Sequence, residues 1–300
     1  MSKEKNFISA VIYLPKSDQE EISFIQMIVR ELEEHFMHFE TVAIVQPGSE
    51  SFVEAMRSML QGINAMVSVL HMAPNQSKEM CMNAGIDAAI GDYVFEFEKT
   101  DLMFPSEYIF KAYEKSQEGY DIVSLTPDRQ SLVSRCFYAL FNTNAPASEK
   151  LHTEVFRLSS RRAINRVHAT SPYLPYRKAA FAASGLSSTT LRYHGYACSR
   201  NGDGIKLAMG SLLLYTAVGY RAAVAVSLVM FTLAICAMLY TIVVFFAGSP
   251  IEGWTTTVFI VTWSFSGLFL LLTIVVKYLD LLLQELSNRE HYLVAKIEKL

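Results

Sequence analysis

The sequence predicts an α/β domain of the Rossmann-like type followed by two transmembrane helices. Short apolar, β-rich runs alternate with amphipathic helical patterns up to about residue 200, whereas residues 222–276 carry a single formal charge, Glu252. The mean hydropathy of +0.24 and the 51% hydrophobic content are high for a soluble protein, and most of the excess lies in that segment. We therefore expect a globular domain (1–200), an interfacial amphipathic helix (201–221), a transmembrane hairpin (222–276) and a C-terminal helix (277–300).

The first part of the chain contains repeated βα units. Strands are predicted at residues 7–14, 41–45, 65–70 and 93–97, and helices at 18 to about 39, 51–62 and 77–90. Units of this length predict a mostly parallel sheet with helices on both faces. Ligands of such sheets bind beyond the carboxyl ends of the strands, so we expect the site in the loops 15–21, 46–50, 71–78 and 98–105.

The apolar segment predicts two membrane spans. Residues 222–251 and 253–276 contain no charged side chain, and each stretch exceeds the ~20 residues that cross a bilayer as a helix. Basic residues flank the pair on both sides and are absent from the turn at 248–253: Arg192, Arg200, Lys206 and Arg221 before it, and Lys277, Arg289, Lys296 and Lys299 after it. The positive-inside rule then places the globular domain and both termini in the cytoplasm, in an inner or plasma membrane.

Charge and cysteine content exclude several classes of protein. The net charge of −3 argues against a nucleic-acid binder that relies on overall basic charge. The cysteines at 81, 136, 198 and 236 have no CxxC spacing, which argues against a zinc site or a disulfide framework. A transporter or channel subunit fits poorly, because neither span contains an ionisable residue.

Several segments carry a recognisable pattern. One run combines an asparagine, a lysine, two glycines and an aspartate at fixed spacing: Asn75, Lys78, Gly85, Ala89, Gly91, Asp92 and Val94. Residues 119–123 (Gly-Tyr-Asp-Ile-Val), 156–161 (Phe-Arg-Leu-Ser-Ser-Arg) and a tail beginning at Lys277 follow in order. Together with the predicted hairpin, they resemble the family-2 glycosyltransferases, within them the polyprenyl-phosphate group that includes dolichol-phosphate mannose synthase.

The resemblance implies a GT-A type nucleotide-sugar-binding domain. It implies transfer of a hexose from a nucleotide-sugar donor to an undecaprenyl or dolichyl phosphate at the cytoplasmic leaflet. It also implies a protein that contacts membrane lipid and forms a homo-oligomer, since similar proteins form tetramers. Carried over by position, it assigns donor binding to Pro15, Asp18, Glu20, Gly48, Lys78, Asp92 and Glu98, catalysis to Asp101 and Arg157, and lipid-phosphate binding to Arg161, Arg200 and Lys206. It also implies a divalent cation, Mg²⁺ or Mn²⁺, held by Glu98 and Asp101.

The chain departs from the family pattern at the loops that matter most. Gln46 and Pro47 stand where the family has two aspartates after the second strand, and Val155 stands where it has an acid, although Glu154 adjoins it. The metal loop, residues 98–101, is one residue longer and contains Lys99. That lysine would either compete with a metal for the two carboxylates or itself supply the positive charge that a phosphate needs.

Each assigned residue also has a plain structural interpretation. Asp18 fits a helix N-cap, Asp92 fits a turn, and the carboxylates of 98–101 fit a solvated loop before a helix. The basic residues near the first span fit contacts with anionic lipid headgroups equally well. A catalytically degenerate relative that acts as a scaffold or regulatory subunit of membrane glycan synthesis is therefore the alternative to an active enzyme.

Overall fold

The structure, a computed structural model, describes residues 3–60, 65–100, 104–130, 151–170, 177–197 and 292–300, and single positions in 138–143 and 225–282. The chain divides into two compact units. One comprises Met1–Ile205 together with Arg289–Leu300, and the other is Lys206–Asn288.

The first unit contains an eight-stranded sheet within the described residues. Its strands are β1 (Glu4–Leu14), β2 (Phe36–Val45), β3 (Met66–Met72), β4 (Tyr93–Phe97), β5 (Ile122–Gln130), β6 (Phe156–Ser160), β7 (Ser188–Ala197) and β8 (Val294–Lys299). Their order is β7-β5-β6-β4-β1-β2-β3-β8. Strands β4, β1, β2 and β3 are parallel, as the βα pattern predicts, whereas β6 and β8 run antiparallel to their neighbours.

Helices cover both faces of this sheet. They are α1 (Gln19–His35), α2 (Glu50–Leu60), α3 (Lys78–Ala88), α4 (Glu107–Gln117), α5 (Arg161–Thr170) and α6 (Arg177–Ala183). One buried apolar cluster joins α1, α2 and α4 to the sheet, and a second joins α3, α5 and α6 to the opposite face. The sheet is thus the middle layer of three, which is why its strands read as nearly continuous apolar runs.

Two glycines of the Asn75–Val94 pattern have packing roles. A Cβ on Gly85 would lie 2.5 Å from Val11 Cγ1 and 2.6 Å from Ile44 Cδ1, so only glycine lets α3 approach β1 and β2 this closely. A Cβ on Gly91 would lie 2.6 Å from the backbone nitrogen of Ser9. Close packing thus explains the glycine at these two positions of the pattern.

The boundary between α1 and β2 differs from the expectation. The helix predicted to reach about residue 39 ends at His35, and β2 begins at the next residue, Phe36, instead of at residue 41. Residues 36–39 pair with the start of β1, and Phe36 and Phe39 are buried against the sheet's core. The strand is longer because pairing with β1 outweighs the local helical pattern.

The prediction of a C-terminal helix at 277–300 is wrong for the last residues of the chain. Residues Val294–Lys299 form β8, which pairs antiparallel with β3 at the edge of the sheet. The Leu300 N–H donates to the Val67 carbonyl at 2.9 Å, and the Ala73 N–H donates to the Leu293 carbonyl at 2.9 Å. The tail is extended because it pairs with the backbone N–H and C=O groups on the edge of β3.

The predicted interfacial helix (201–221) lies outside the described residues, as does most of the predicted hairpin (222–276). Among the residues that were described, none of the helices has both the length and the apolar character needed to span a bilayer.

Candidate functional site

The loops that follow β1, β2 and β4 meet at the carboxyl edge of the parallel strands. Glu21, buried in the first turn of α1, organises them. Its carboxylate accepts hydrogen bonds from the Ser17 N–H at 2.8 Å and from the Thr100 hydroxyl at 3.2 Å. Burial raises the pKa of Glu21 despite these hydrogen bonds. One carboxylate therefore ties the β1–α1 loop to the loop after β4, as the topology of parallel strands requires.

The four residues assigned to the β1 and β2 loops are all placed at this edge. Asp18 is the N-cap of α1, since its Oδ1 accepts from the Glu21 N–H at 3.0 Å. Pro15 and Glu20 are exposed beside it. Gly48 adopts a φ of +82°, with open space where a Cβ would lie. The capping interpretation of Asp18 is confirmed, and donor binding by all four stays a prediction.

Gln46 uses its amide N–H as a hydrogen-bond donor, which an aspartate at this position could not do. Its Nε2 donates to the Tyr13 hydroxyl at 2.9 Å and lies 3.9 Å from Cys81 Sγ in α3. Burial raises the pKa of the Cys81 thiol to about 11, so the thiol is neutral and unreactive at physiological pH. The side chain is thus held in a neutral hydrogen-bonding network between β1 and α3.

Glu98, at the carboxyl end of β4, is surrounded by three cations. Its Oε1 accepts from Arg177 Nη2 at 2.7 Å. Its Oε2 accepts from Lys78 Nζ at 3.0 Å, and Lys178 Nζ lies 3.6 Å from the same oxygen. Burial alone would raise the pKa of Glu98, but the charges of Lys178, Lys78 and Arg177 hold it well below its usual range.

These groups belong to a larger buried network, which we call the Glu98 cluster. Arg177 is fully buried and also bonds Glu79 Oε2 at 2.8 Å and Glu96 Oε2 at 3.2 Å. Arg157 donates to Glu154 Oε2 at 2.5 Å. Four cations therefore face four carboxylates: Lys78, Arg157, Arg177 and Lys178 against Glu79, Glu96, Glu98 and Glu154. The formal charge of the cluster is zero.

Arg177 and Lys178 were not predicted from the sequence, since they lie outside the loops and segments named above, and only their position in a helix marks them as unusual. The two cations occupy the first turn of α6, where the positive end of the helix dipole disfavours them. Basic residues at such a position need an external reason, and here it is the carboxylates of β4 and its following loop. Arg157, predicted from the resemblance, does join this cluster, and its guanidinium also lies 4.8 Å from the centre of the Phe181 ring.

The described residues do not fit a divalent cation at Glu98. A hard cation needs several free oxygen ligands, yet both oxygens of Glu98 already accept from cationic groups. Three positive charges within 3.6 Å of this carboxylate would repel an incoming dication. Over the part of the chain that the structure covers, no three His, Cys, Asp or Glu side chains are grouped suitably for a metal. Asp101, the other predicted ligand, lies outside the described residues.

Two predicted site residues lie at the opposite edge of the sheet. Asp92 precedes β4, and its Oδ2 accepts from the Phe7 N–H at 3.0 Å. Arg161 donates to the Ala89 carbonyl at 2.7 Å and to the Gly91 carbonyl at 2.7 Å. Both residues fasten the amino end of β4, so the structure does not bring them to the carboxyl edge. Arg200 and Lys206 lie outside the described residues.

A small polar cavity adjoins the Glu98 cluster. It lies between α6 and the strands β5–β7, and its lining includes Ser124, His152, Glu154, Arg157, Lys178 and Thr190. The buried Nη1 of Arg157 has no hydrogen-bond partner among the described residues. A polar cavity of this kind is suited to ordered water.

Comparisons with known proteins agree with this architecture. No protein-family model matches the chain. An uncharacterized glycosyltransferase of Synechocystis is 29% identical over 133 residues, 42% of either chain. A prophage bactoprenol glucosyl transferase homolog of Escherichia coli is 28% identical over 158 residues, 50% of this chain and 51% of that one. A Bacillus subtilis protein, also an uncharacterized glycosyltransferase, is 23% identical over 252 residues, 78% of this chain and 76% of that one.

The matches to the first two relatives span about half of their length or less. Among solved structures, glucosyl-3-phosphoglycerate synthase of Mycobacterium tuberculosis is similar with a TM-score of 0.50 and 13% identity, over 71% of this chain and 81% of that one. Another structure of that enzyme, with the same TM-score, contains Mn²⁺ and UDP-glucose. At this identity the likeness concerns the fold alone, and it confirms the predicted Rossmann-like α/β domain.

Proposed function

We propose that this protein is a glycosyltransferase that moves a hexose from a nucleoside-diphosphate sugar to a polyprenyl phosphate at the cytoplasmic face of a membrane. The observation that carries the proposal is the sequence similarity to bactoprenol glucosyl transferases over half of the chain. The converging loops at the carboxyl edge of β1, β2 and β4 support it, because that edge is where such sheets bind nucleotides.

The reaction makes modest chemical demands. An oxygen of the lipid phosphate attacks the anomeric carbon of the sugar, and the bond from that carbon to the diphosphate oxygen breaks. The phosphate is already anionic, so the site has to position it and to offset the charge of the departing diphosphate. Lys78 is placed for the second task, since its ammonium lies at the carboxyl edge with a side chain that is 31% exposed.

Attachment to a membrane is part of the proposal. The two uncharged stretches at 222–251 and 253–276 are long enough to cross a bilayer, and basic residues flank them. Strand β8 follows this segment and belongs to the same sheet as β1–β4. Because the chain leaves this domain and returns to it, any crossings of the bilayer by the segment between come in pairs, as in a hairpin. The lipid substrate cannot leave the bilayer, and the anchor holds the site near it. A homo-oligomer, such as a tetramer, remains an expectation from the family resemblance.

One observation favours a second candidate, a scaffold or regulatory subunit without catalysis. The positions of the family's paired aspartates are filled by Gln46 and Pro47, and Gln46 is engaged with the Tyr13 hydroxyl. The carboxylate of Glu98 is likewise engaged by cations. In this candidate, the Glu98 cluster stabilises the fold and binds no donor.

A transfer assay separates the two candidates. Full-length protein in detergent is incubated with radiolabelled UDP-glucose or GDP-mannose and a short polyprenyl phosphate, and label in the organic phase is counted. We expect a labelled lipid product with at least one donor. Lys78→Gln should reduce the rate, and Lys111→Gln, which removes an exposed lysine of α4, should not. A folded protein that yields no product and binds neither nucleotide would leave the scaffold as the function.

A further inference from the structure

We infer that this protein binds the diphosphate of its donor without a divalent cation, and that Lys78 supplies positive charge to it in place of a metal. The inference rests on the proposed function, since it concerns the same donor site. The family resemblance assigns Glu98 to a metal, but in the structure this carboxylate accepts hydrogen bonds from Lys78 and Arg177. The inference follows from that disagreement.

Both oxygens of Glu98 already accept hydrogen bonds from cations. A carboxylate that holds a metal must present at least one oxygen to it, but Oε1 bonds Arg177 and Oε2 bonds Lys78. A metal at Oε1 would displace one of the three carboxylates around Arg177, whose side chain is fully buried, and a metal at Oε2 would displace the hydrogen bond from Lys78. A dication brought this close to the guanidinium and ammonium groups would also be repelled by them.

The net charge of the Glu98 cluster also disfavours a metal. A dication is attracted to a site with net negative charge, and a metal ligated by two carboxylates reaches neutrality in that way. The Glu98 cluster has already reached neutrality with its own lysines and arginines. Arg177 and Lys178 thus perform inside the protein the neutralisation that a metal would otherwise provide.

Lys78 is the most exposed cation of the Glu98 cluster. Within the cluster the Lys78 side chain is 31% exposed, against 13% for Lys178, 4% for Arg157 and 0% for Arg177. An ammonium has three donor hydrogens, and one hydrogen bond of Lys78 is to Glu98. The β2–α2 loop is adjacent, since Gln46 of that loop contacts Cys81 in the first turn of the same helix. Lys78 is therefore the cation of the cluster best placed for a diphosphate at this edge.

Direct metal binding provides the first test. Mn²⁺ alone, and then Mn²⁺ with UDP, is titrated into the full-length protein in detergent, and bound Mn²⁺ is followed by electron paramagnetic resonance. We expect no protein-bound Mn²⁺ in either titration beyond what free UDP chelates. Stoichiometric binding, whether it is lost in Glu98→Gln or persists there, would overturn the inference.

Nucleotide affinity provides the second test. UDP and GDP are titrated calorimetrically into the protein in EDTA and in MnCl₂. We expect equal affinities in the two buffers. Replacing Lys78 removes a charge-assisted contact, so Lys78→Gln should bind about tenfold more weakly in both. Lys78→Arg keeps the charge and should retain most of the affinity, which guards against a variant that simply misfolds, and Lys111→Gln is the matched surface control.

The outcomes separate this inference from the proposed function. Binding that requires Mn²⁺ would overturn the inference and leave the proposed function standing. Full affinity in a folded Lys78→Gln variant would also overturn it. The absence of nucleotide binding in every buffer would overturn both.

Discussion

Buried charges at the carboxyl edge of the sheet are the residue-scale feature on which the site depends. Arg177 is enclosed by Glu79, Glu96 and Glu98, and water has no access to its guanidinium. A buried charge without a partner is strongly unfavourable, so each member of the cluster depends on the others. Glu98 is held by these contacts, and its hydrogen bond to Lys78 places that ammonium at the carboxyl edge of the sheet.

Removing Arg177 tests this dependence. Arg177→Met keeps most of the volume of the side chain but leaves Glu79, Glu96 and Glu98 with one partner fewer, and we expect a loss of about 3–5 kcal/mol in the free energy of unfolding. Denaturant unfolding of the purified protein measures it. Lys111→Gln, at an exposed ion pair, should leave the unfolding midpoint unchanged. A midpoint of Arg177→Met equal to that of the parent would show that the cluster does not stabilise the fold.

The lowered pKa of Glu98 predicts that the protein loses stability in acid. Burial opposes ionisation of this carboxyl, but Lys178, Lys78 and Arg177 hold its pKa well below that of the unfolded chain. A carboxyl with a lowered folded-state pKa stabilises the protein above its unfolded pKa of about 4.3, and this stabilisation is lost as the pH falls through the folded-state value. The free energy of unfolding should therefore fall below about pH 4.5, and less steeply in Glu98→Gln.

The fall in stability below about pH 4.5 needs a control variant, because other carboxylates also titrate in that pH range. Glu107→Gln removes an exposed carboxylate of α4 and should follow the parent's dependence on pH. Parallel curves for the parent and Glu98→Gln would contradict the ion pairing described for Glu98.

At the scale of single elements, helix α1 separates a structural role from a binding role. Asp18 caps the helix through the Glu21 N–H. Asp18→Ala should cost about 0.5–2 kcal/mol in thermal or denaturant unfolding, whereas Asp18→Asn should retain most of the stability. UDP affinity then decides the second role. An Asp18→Asn variant with parental stability and weakened UDP binding would establish donor binding by this residue, and unchanged affinity would leave the cap as its function.

Strand β8 is the element that sequence analysis assigned to the wrong class. It covers the edge of β3, and its Glu298 pairs with Arg57 of α2 at 2.5 Å. Removing residues 292–300 should expose the backbone of β3 and speed amide hydrogen exchange over residues 66–72, measured by mass spectrometry. Ile297→Thr alters an exposed side chain but keeps the strand, and it should exchange like the parent. Unchanged protection in the truncated chain would contradict the pairing.

At the scale of the whole molecule, the return of the chain to its sheet bears on membrane topology. Residues before Ile205 and after Arg289 belong to one compact unit, so the segment between them begins and ends at the same domain. A membrane crossing by this segment must then be paired with a second one.

Tag accessibility in intact cells tests that topology. An epitope inserted in the 248–253 turn should be cleaved by added protease, while an N-terminal epitope should be protected until the membrane is permeabilised. Equal accessibility of the two epitopes in intact cells would contradict the hairpin and the cytoplasmic domain together.

The amino-acid pattern alone predicts the order and type of most elements and the edge of the sheet where we expect the site. It also predicts three residues of the Glu98 cluster: Lys78, Glu98 and Arg157. These features are visible because hydrophobic periodicity and turn residues act over a few neighbouring positions. Residue types in the loops also revealed the replacement of expected acids at Gln46 and Pro47.

Which charged side chains pair in the Glu98 cluster depends on the tertiary structure. Lys78 and Glu98 are 20 positions apart and Arg177 and Glu98 are 79 positions apart, so their pairing depends on the path of the chain and not on local pattern. For the same reason Asp92 and Arg161 lie at the opposite edge of the sheet from the predicted site. The tail at 294–299 is a strand because it pairs with the edge of β3. Burial then turned a set of ordinary surface residue types into a neutral, mutually dependent cluster, because charges removed from water are stable only beside their partners.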